Sequence, residues 1–314
     1  MTMPNFLILG AAKAGTTSLY AYLRQHPQIY LPRIKEPNFF AYGEEPFDQQ
    51  GPGAEIIHRN AIMTPAQYTQ LFAGVAQETA IGEASVTNLW PRACTRIQHY
   101  VPNAKLIVLL RQPAERAYSH FLYHRQLGLE PLADFAAAVA DEPNRLRQRW
   151  PLHFCYLTAS HYVADLQNYL RHFPREQLRV YLYEQLATQP AQLLQEIFAF
   201  LDVDETFAPD VNVRYNVTRQ PRSPRLQYLL RHPHWLKGWL RPCLPGSWRK
   251  GLVAKIEHAN WQPPPALAPA LRAEITRRFQ HEIIQLQQLL ARDLSHWLTP
   301  TASPQAQRQP AKTR

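Results

Sequence analysis

Short apolar runs alternate with longer stretches of helical periodicity along most of the chain. Residues 6–10 (FLILG), 79–83 (TAIGE), 104–110 (AKLIVLL) and 178–183 (LRVYLY) are rich in branched-aliphatic and aromatic side chains. That is the pattern of strands buried on both faces. Helices are predicted near 15–25, 65–73, 88–100, 113–128, 158–172 and 190–201. Pro113 suits a helix first turn, and Pro27 stops the first helix. Such alternation predicts an α/β protein whose parallel central sheet is flanked by helices on both faces. A further helix is predicted from about Ala266 to Trp297. The polar stretches 43–60 and 203–225 read as loops, and 299–314 as a disordered tail. Residues 1–298 of the 314 read as one elaborated domain, with no internal repeats.

Composition narrows the class. At 46% hydrophobic and 18% charged, the chain is globular in type and has no apolar run long enough for a membrane span. Its start lacks the basic and cleavage features of a signal peptide. Cys94, Cys155 and Cys243 are far apart and odd in number, which favours reduced thiols, a cytoplasmic location and no zinc site. The net charge of +10 is uneven: Arg219 to His258 holds nine Lys or Arg against one acid, Glu257. That bias favours an anionic partner or surface. Nucleic acid is disfavoured, because no recognition motif accompanies the charge.

The first strand runs into GAAKAGTTSLY, a glycine-bracketed loop followed by a helix. Gly10 and Gly15 have the spacing of a phosphate-binding loop, but Thr16 stands where the Walker lysine would be, and the lysine is Lys13. Glycines let backbone N–H groups face an anion, and the helix adds its positive end. The Thr16 and Thr17 hydroxyls can donate to phosphate oxygens. The strand LIVLLR ends in Arg111 rather than a Walker B aspartate, so a metal-free nucleotide with a short anionic tail fits better than ATP. Arg111 stands at a strand's carboxyl end, where parallel sheets bind ligands. It could also pair with Glu115, which shares a helix face with Ser119.

GAAKAGTTSLYAYL together with LIVLLRQPAERAYSHF resembles the PAPS-dependent sulfotransferase family, in particular a bacterial branch similar to heparan-sulfate and other carbohydrate sulfotransferases. KEPNFF (35–40), GEAS (82–85), FPREQLRVYLYEQLATQPAQLLQEIFAFLDV (173–203) and LLARDLSHWL near the end extend the likeness over roughly 5–230 and 280–298. The resemblance implies a P-loop-NTPase-like three-layer fold and PAPS as a co-substrate, with no metal. It implies that Lys13, Ala14, Gly15, Thr16 and Thr17 hold the 5′-phosphosulfate and that Lys13 also stabilises the leaving phosphate. Arg111 and Ser119 would bind the 3′-phosphate, with Arg219 and Arg222 closing over it from NVTRQPRS (216–223).

Glu36 matches the family's glutamate base, which must lie within reach of the acceptor hydroxyl. A surface Lys35–Glu36 pair is its plainer reading. The chain departs from the family where a lysine and a proline are usual: Ala84 and Val86 stand there, and Lys35 or Arg33 is the candidate substitute. Asn38 replaces a histidine, and Ser85 is retained. His26, His120 and His124 read as helix-surface or packing residues, with His124 able to face the acceptor. Tryptophans and cations interleave over 232–265, suiting a glycan or glycolipid acceptor or a peripheral membrane contact, or simply an amphipathic helix packed inward. The resemblance and this segment together imply a glycan, glycolipid or other small-molecule metabolite as acceptor. Two alternatives are a P-loop nucleotide-kinase-like enzyme and a PAP-binding or membrane-surface module without catalysis.

Overall fold

The computed structural model describes residues 2–44, 48–212, 220–223, 256 and 259–299. Five parallel strands form its central sheet in the order β2-β3-β1-β4-β5. They are β1 (Phe6–Gly10), β2 (Ile29–Tyr30), β3 (Ala80–Ala84), β4 (Lys105–Leu110) and β5 (Leu178–Leu182). The four strands expected from apolar runs are present within a residue at each end, and the two-residue β2 is added at the edge. All of β1 is buried, and so is β4 beyond Lys105, which is why their sequences are uniformly apolar rather than alternating. Phe6 pairs in register with Gly82 and Lys105. A Cβ at Gly82 would lie 2.2 Å from the Phe6 ring, so this strand position has no room for a side chain.

Helices flank the sheet: α1 (Thr16–Leu23), α2 (Phe39–Tyr42), α3 (Ala54–Asn60), α4 (Pro65–Gln70), α5 (Pro91–Tyr100), α6 (Pro113–Leu127), α7 (Phe135–Ala140), α8 (Glu142–Arg147), α9 (Val163–His172), α10 (Tyr183–Thr188) and α11 (Pro190–Leu201). The longest, α6, starts with Pro113 in its first turn and a Gln112 side chain that accepts from Glu115 N–H at 2.8 Å. Gly128 ends it in the left-handed conformation, with φ of 74°.

Two expectations are corrected. The stretch 43–60 is not all loop: Gly53, at φ 77°, leads into α3, whose acid lies in the first turn and whose His58 and Arg59 lie in the last. The long C-terminal helix is three: α12 (Pro269–Arg278), α13 (Gln280–Leu290) and α14 (Ser295–Leu298). Ala291 takes φ 49° and turns the chain back, so that Leu294 and Trp297 are buried. The turn is fixed by Gln287, whose side-chain oxygen accepts from Leu294 N–H at 2.8 Å. Burial of two large apolar side chains outweighs continuation of the helix. A short antiparallel ribbon, β6 (Gln220–Pro221) with β7 (Trp261–Gln262), lies beside α6. The expected tail and most of 232–265 lie outside the described residues.

Candidate active site

Because every strand of the sheet runs the same way, the segments after β1, β2, β3, β4 and β5 converge at one edge. The chain moves from β1 to one side for β2 and β3, then crosses to the other side for β4 and β5. The loops after β1 and β4 therefore flank a topological switch point, where parallel sheets form ligand crevices.

The loop after β1 carries Lys13 at φ 67° and Gly15 at φ 94°. A Cβ at Gly15 would come 2.8 Å from a Leu186 methyl and 3.2 Å from the Tyr183 ring, and together with its φ of 94° this favours glycine. Ala14 and Thr16 are buried, and Thr17 is half-buried at the start of α1. The first turn of α1 has no acidic residue and no side-chain cap, so its positive end remains available to an anion. Lys13 Nζ lies 4.2 Å from the centre of the Tyr123 ring. Burial, together with the nearby Arg111 and Lys35 charges, lowers the Lys13 ammonium to about 8, against the opposing pull of Glu36.

Arg111, just beyond β4, is 7% exposed and ties this loop to α6. One guanidinium nitrogen donates to the Lys13 carbonyl at 3.1 Å, another lies 3.7 Å from Glu115, and the group sits 4.6 Å over Tyr183. Glu115 is shared, since Arg272 of α12 donates to it at 2.9 Å. The pairing of Arg111 with Glu115 and its link to the phosphate-type loop thus coexist. Ser119 is buried two turns along the same helix. Arg222 is exposed beside the ribbon, with its backbone N–H donating to Asn260, and Arg219 lies outside the described residues.

Glu36 follows β2, has φ 61°, and donates its backbone N–H to Ala84 O at 2.9 Å. Its Oε1 is bonded to Lys35 Nζ, so the plain ion pair exists. The same carboxylate is close enough to Lys13 and His153 to bias both. Lys35 in turn acts electrostatically on Lys13 and on Glu83. A second cation is therefore present beside Ala84, contributed by the neighbouring loop.

Residues 3–259 match the family described as the sulfotransferase domain. The chain belongs to the sulfotransferase family. A sulfotransferase from Alicyclobacillus acidocaldarius has a solved structure that superposes with a TM-score of 0.74 at 32% identity, covering 95% of this chain and 99% of that one. Carbohydrate sulfotransferase 15 of Rattus norvegicus is 26% identical over 64% of this chain and 44% of its own. A bifunctional heparan sulfate N-deacetylase/N-sulfotransferase 1 of Caenorhabditis briggsae is 26% identical over 69% of this chain and 25% of its own. The chain spans less than half the length of these curated relatives. Membership establishes the P-loop-like fold and replaces the kinase-like alternative.

Of the two readings of His120 and His124, packing holds rather than helix surface: both are buried and their ring centres lie 4.5 Å apart. His153 joins them 6.2 Å from His120 and 5.0 Å from Trp90. Arg116, fully buried, can only donate, so His120 Nδ1 accepts from it at 3.1 Å and carries no proton. Tyr156 donates its proton to Glu130 at 2.6 Å, so His124 Nδ1 donates to the Tyr156 oxygen at 3.1 Å. Burial lowers all three imidazoles, His153 to about 4, and keeps them neutral. Their spacing on α6 could suggest one face, but His153 comes from a distant loop and leaves no local signal. His26 is a packing residue between Phe198 and Phe207, as expected.

Proposed function

We propose that this chain transfers a sulfuryl group from PAPS to a hydroxyl or amine of a glycan or other small acceptor, with Glu36 as general base. The observation that carries the reading is the meeting of Lys13, Arg111 and Glu36 at one sheet edge, although they lie on three separate loops. The residues fit such a donor: a desolvated ammonium, a buried guanidinium bonded to the same loop and an uncapped helix start form a cradle for separate anionic groups. When bound, PAPS supplies the activated sulfuryl group and departs as adenosine 3′,5′-bisphosphate, PAP.

Lys13, Gly15, Thr16 and Thr17 hold the 5′ end, and Arg111 with Ser119 holds the 3′-phosphate. Lys13 keeps its positive charge against the oxygen that gains negative charge as the bond to sulfur breaks. Lys35 engages Glu36 Oε1, and Oε2 is the oxygen offered to the acceptor proton. Lys35 is also the cation that stands in for the lysine absent at Ala84. Neutral His153 lies within electrostatic reach of Glu36 and packs 5.0 Å from the half-buried Trp90, and an uncharged imidazole beside an aromatic face suits a sugar ring on the acceptor side. The carbohydrate and heparan sulfate names of the relatives support a glycan acceptor.

The test is labelled transfer from PAPS into an extract of the organism's own cells, with mass identification of the product. A sulfated glycan or metabolite is expected. PAP binding without transfer to any component would support the non-catalytic module instead.

A further inference from the structure

Beneath the Glu36 turn lies an acid that the transfer chemistry does not use. Glu83, in β3, is fully buried. Its Oε2 accepts the Ser85 hydroxyl at 2.9 Å, and its Oε1 accepts the Asn88 side-chain amide. To make that donation, Asn88 turns its own Oδ1 into a buried position with no partner among the described residues. An unpaired buried carbonyl is costly, so the amide orientation is set by the carboxylate.

The Ser85 proton is committed to Glu83, so Ser85 presents a lone pair to its other neighbour. That neighbour is the Asn38 backbone N–H, at 3.1 Å. Asn38 Nδ2 then donates to the Glu36 carbonyl at 2.8 Å, while its Oδ1 accepts from Thr87 at 2.7 Å. The bond from Glu36 N–H to Ala84 O closes the loop on the residue between Glu83 and Ser85. Donor and acceptor are defined at each link.

The turn needs this support. Glu36 and Asn38 have φ of 61° and 57°, with Pro37 between them. A left-handed conformation costs a non-glycine residue about 1–2 kcal/mol, and a following proline restricts Glu36 further. Such a turn persists only where its surroundings over-determine it.

We infer that Glu83 is a positioning residue for Glu36, acting through Ser85 and Asn38 to hold the turn that presents the base. The assignment rests on the reading of Glu36 as base. Burial pushes the Glu83 carboxyl up to about 7, while the bonds from Ser85 and Asn88 pull it back toward the charged form. The Ser85 bond that orders the turn therefore also helps make the buried acid tolerable.

The test compares Glu83→Gln, Ser85→Ala, Glu36→Gln and the Glu36→Gln/Glu83→Gln pair in the full chain. Measured quantities are PAP dissociation constant, amide exchange of the 34–41 peptide, and labelled-sulfuryl transfer from PAPS into the cell extract. Glu83→Gln is expected to slow transfer tenfold or more, with PAP affinity within twofold and faster exchange at 34–41. Ser85→Ala, which leaves the acid in place, should show the same pattern to a smaller extent. The double variant should be no slower than Glu36→Gln alone, because a misplaced base and an absent one fail at the same step. Wild-type transfer in Ser85→Ala and in any folded Glu83→Gln, with Glu36→Gln inactive, overturns the positioning role. An additive loss in the double variant also overturns it. Wild-type transfer by Glu36→Gln overturns the base reading, and this assignment with it.

Discussion

At Lys13 the ammonium is partly shielded from water and faces the Arg111 and Lys35 charges, which brings it down to about 8 in the ligand-free protein. A bound phosphate favours the charged form, so the pKa rises on binding. Below pH 8 the lysine is already protonated and PAP affinity should be flat. Above pH 8 binding must take up a proton, and affinity should fall up to tenfold per pH unit. Calorimetry in buffers of different ionisation enthalpy checks this at pH 7 and pH 9, and Lys13→Arg should remove the slope. Arg111→Ala removes charge-assisted hydrogen bonds worth roughly 2–3 kcal/mol, so PAP should bind about 30- to 150-fold more weakly. An unchanged dissociation constant would take Arg111 out of the site. At this scale the sequence is legible where a residue sits in a contiguous motif, as Lys13, Gly15 and Arg111 do. Tyr123, Tyr183 and His153 are not, because their roles arise from packing between distant segments.

Between elements, the C-terminal helices act as a brace on the N-terminus of α6. Gln112 donates to Thr276 at 3.0 Å and to the Trp297 carbonyl at 3.3 Å, and Arg272 reaches both Glu115 and the Thr299 carbonyl. Arg111 is adjacent to Gln112 and shares Glu115, so the brace also orients Arg111. Trp297→Ala is expected to cost about 3–5 kcal/mol of stability, as large aromatic truncations in cores do. Denaturant unfolding reads that loss, and PAP affinity of the folded fraction should fall with it. The four long strands and α6 were legible because their apolar patterns and proline starts are strong local signals. The break at Ala291 was not, since it is set by where Leu294 and Trp297 are buried. The helix α3 was hidden by its polarity: among its residues only Ala54 is buried.

Across the whole molecule, the segments after all five strands converge at one sheet edge, and a ligand that touches several of them should stabilise the fold cooperatively. At a hundredfold excess over its dissociation constant, PAP should add about 2.7 kcal/mol, which for a chain of this size raises Tm by roughly 5 °C. The shift should need no magnesium, and its absence at millimolar PAP would contradict the donor assignment. The family was legible because the loop after β1 and the strand–helix at Arg111 carry backbone-level constraints that survive in sequence. The acceptor side was not, because specificity resides in loops and in side chains such as Trp90 and His153 that meet only in the fold.

The claim on which the account turns is that Glu36 removes the acceptor proton at a donor site built by Lys13 and Arg111. The direct measurement is labelled-sulfuryl transfer from PAPS by Glu36→Gln, compared with wild type at equal PAP-site occupancy. PAP affinity is expected to be unchanged and the transfer rate lower by about 100-fold or more, the usual range for loss of a general base. A rate near wild type would show that another group takes the proton.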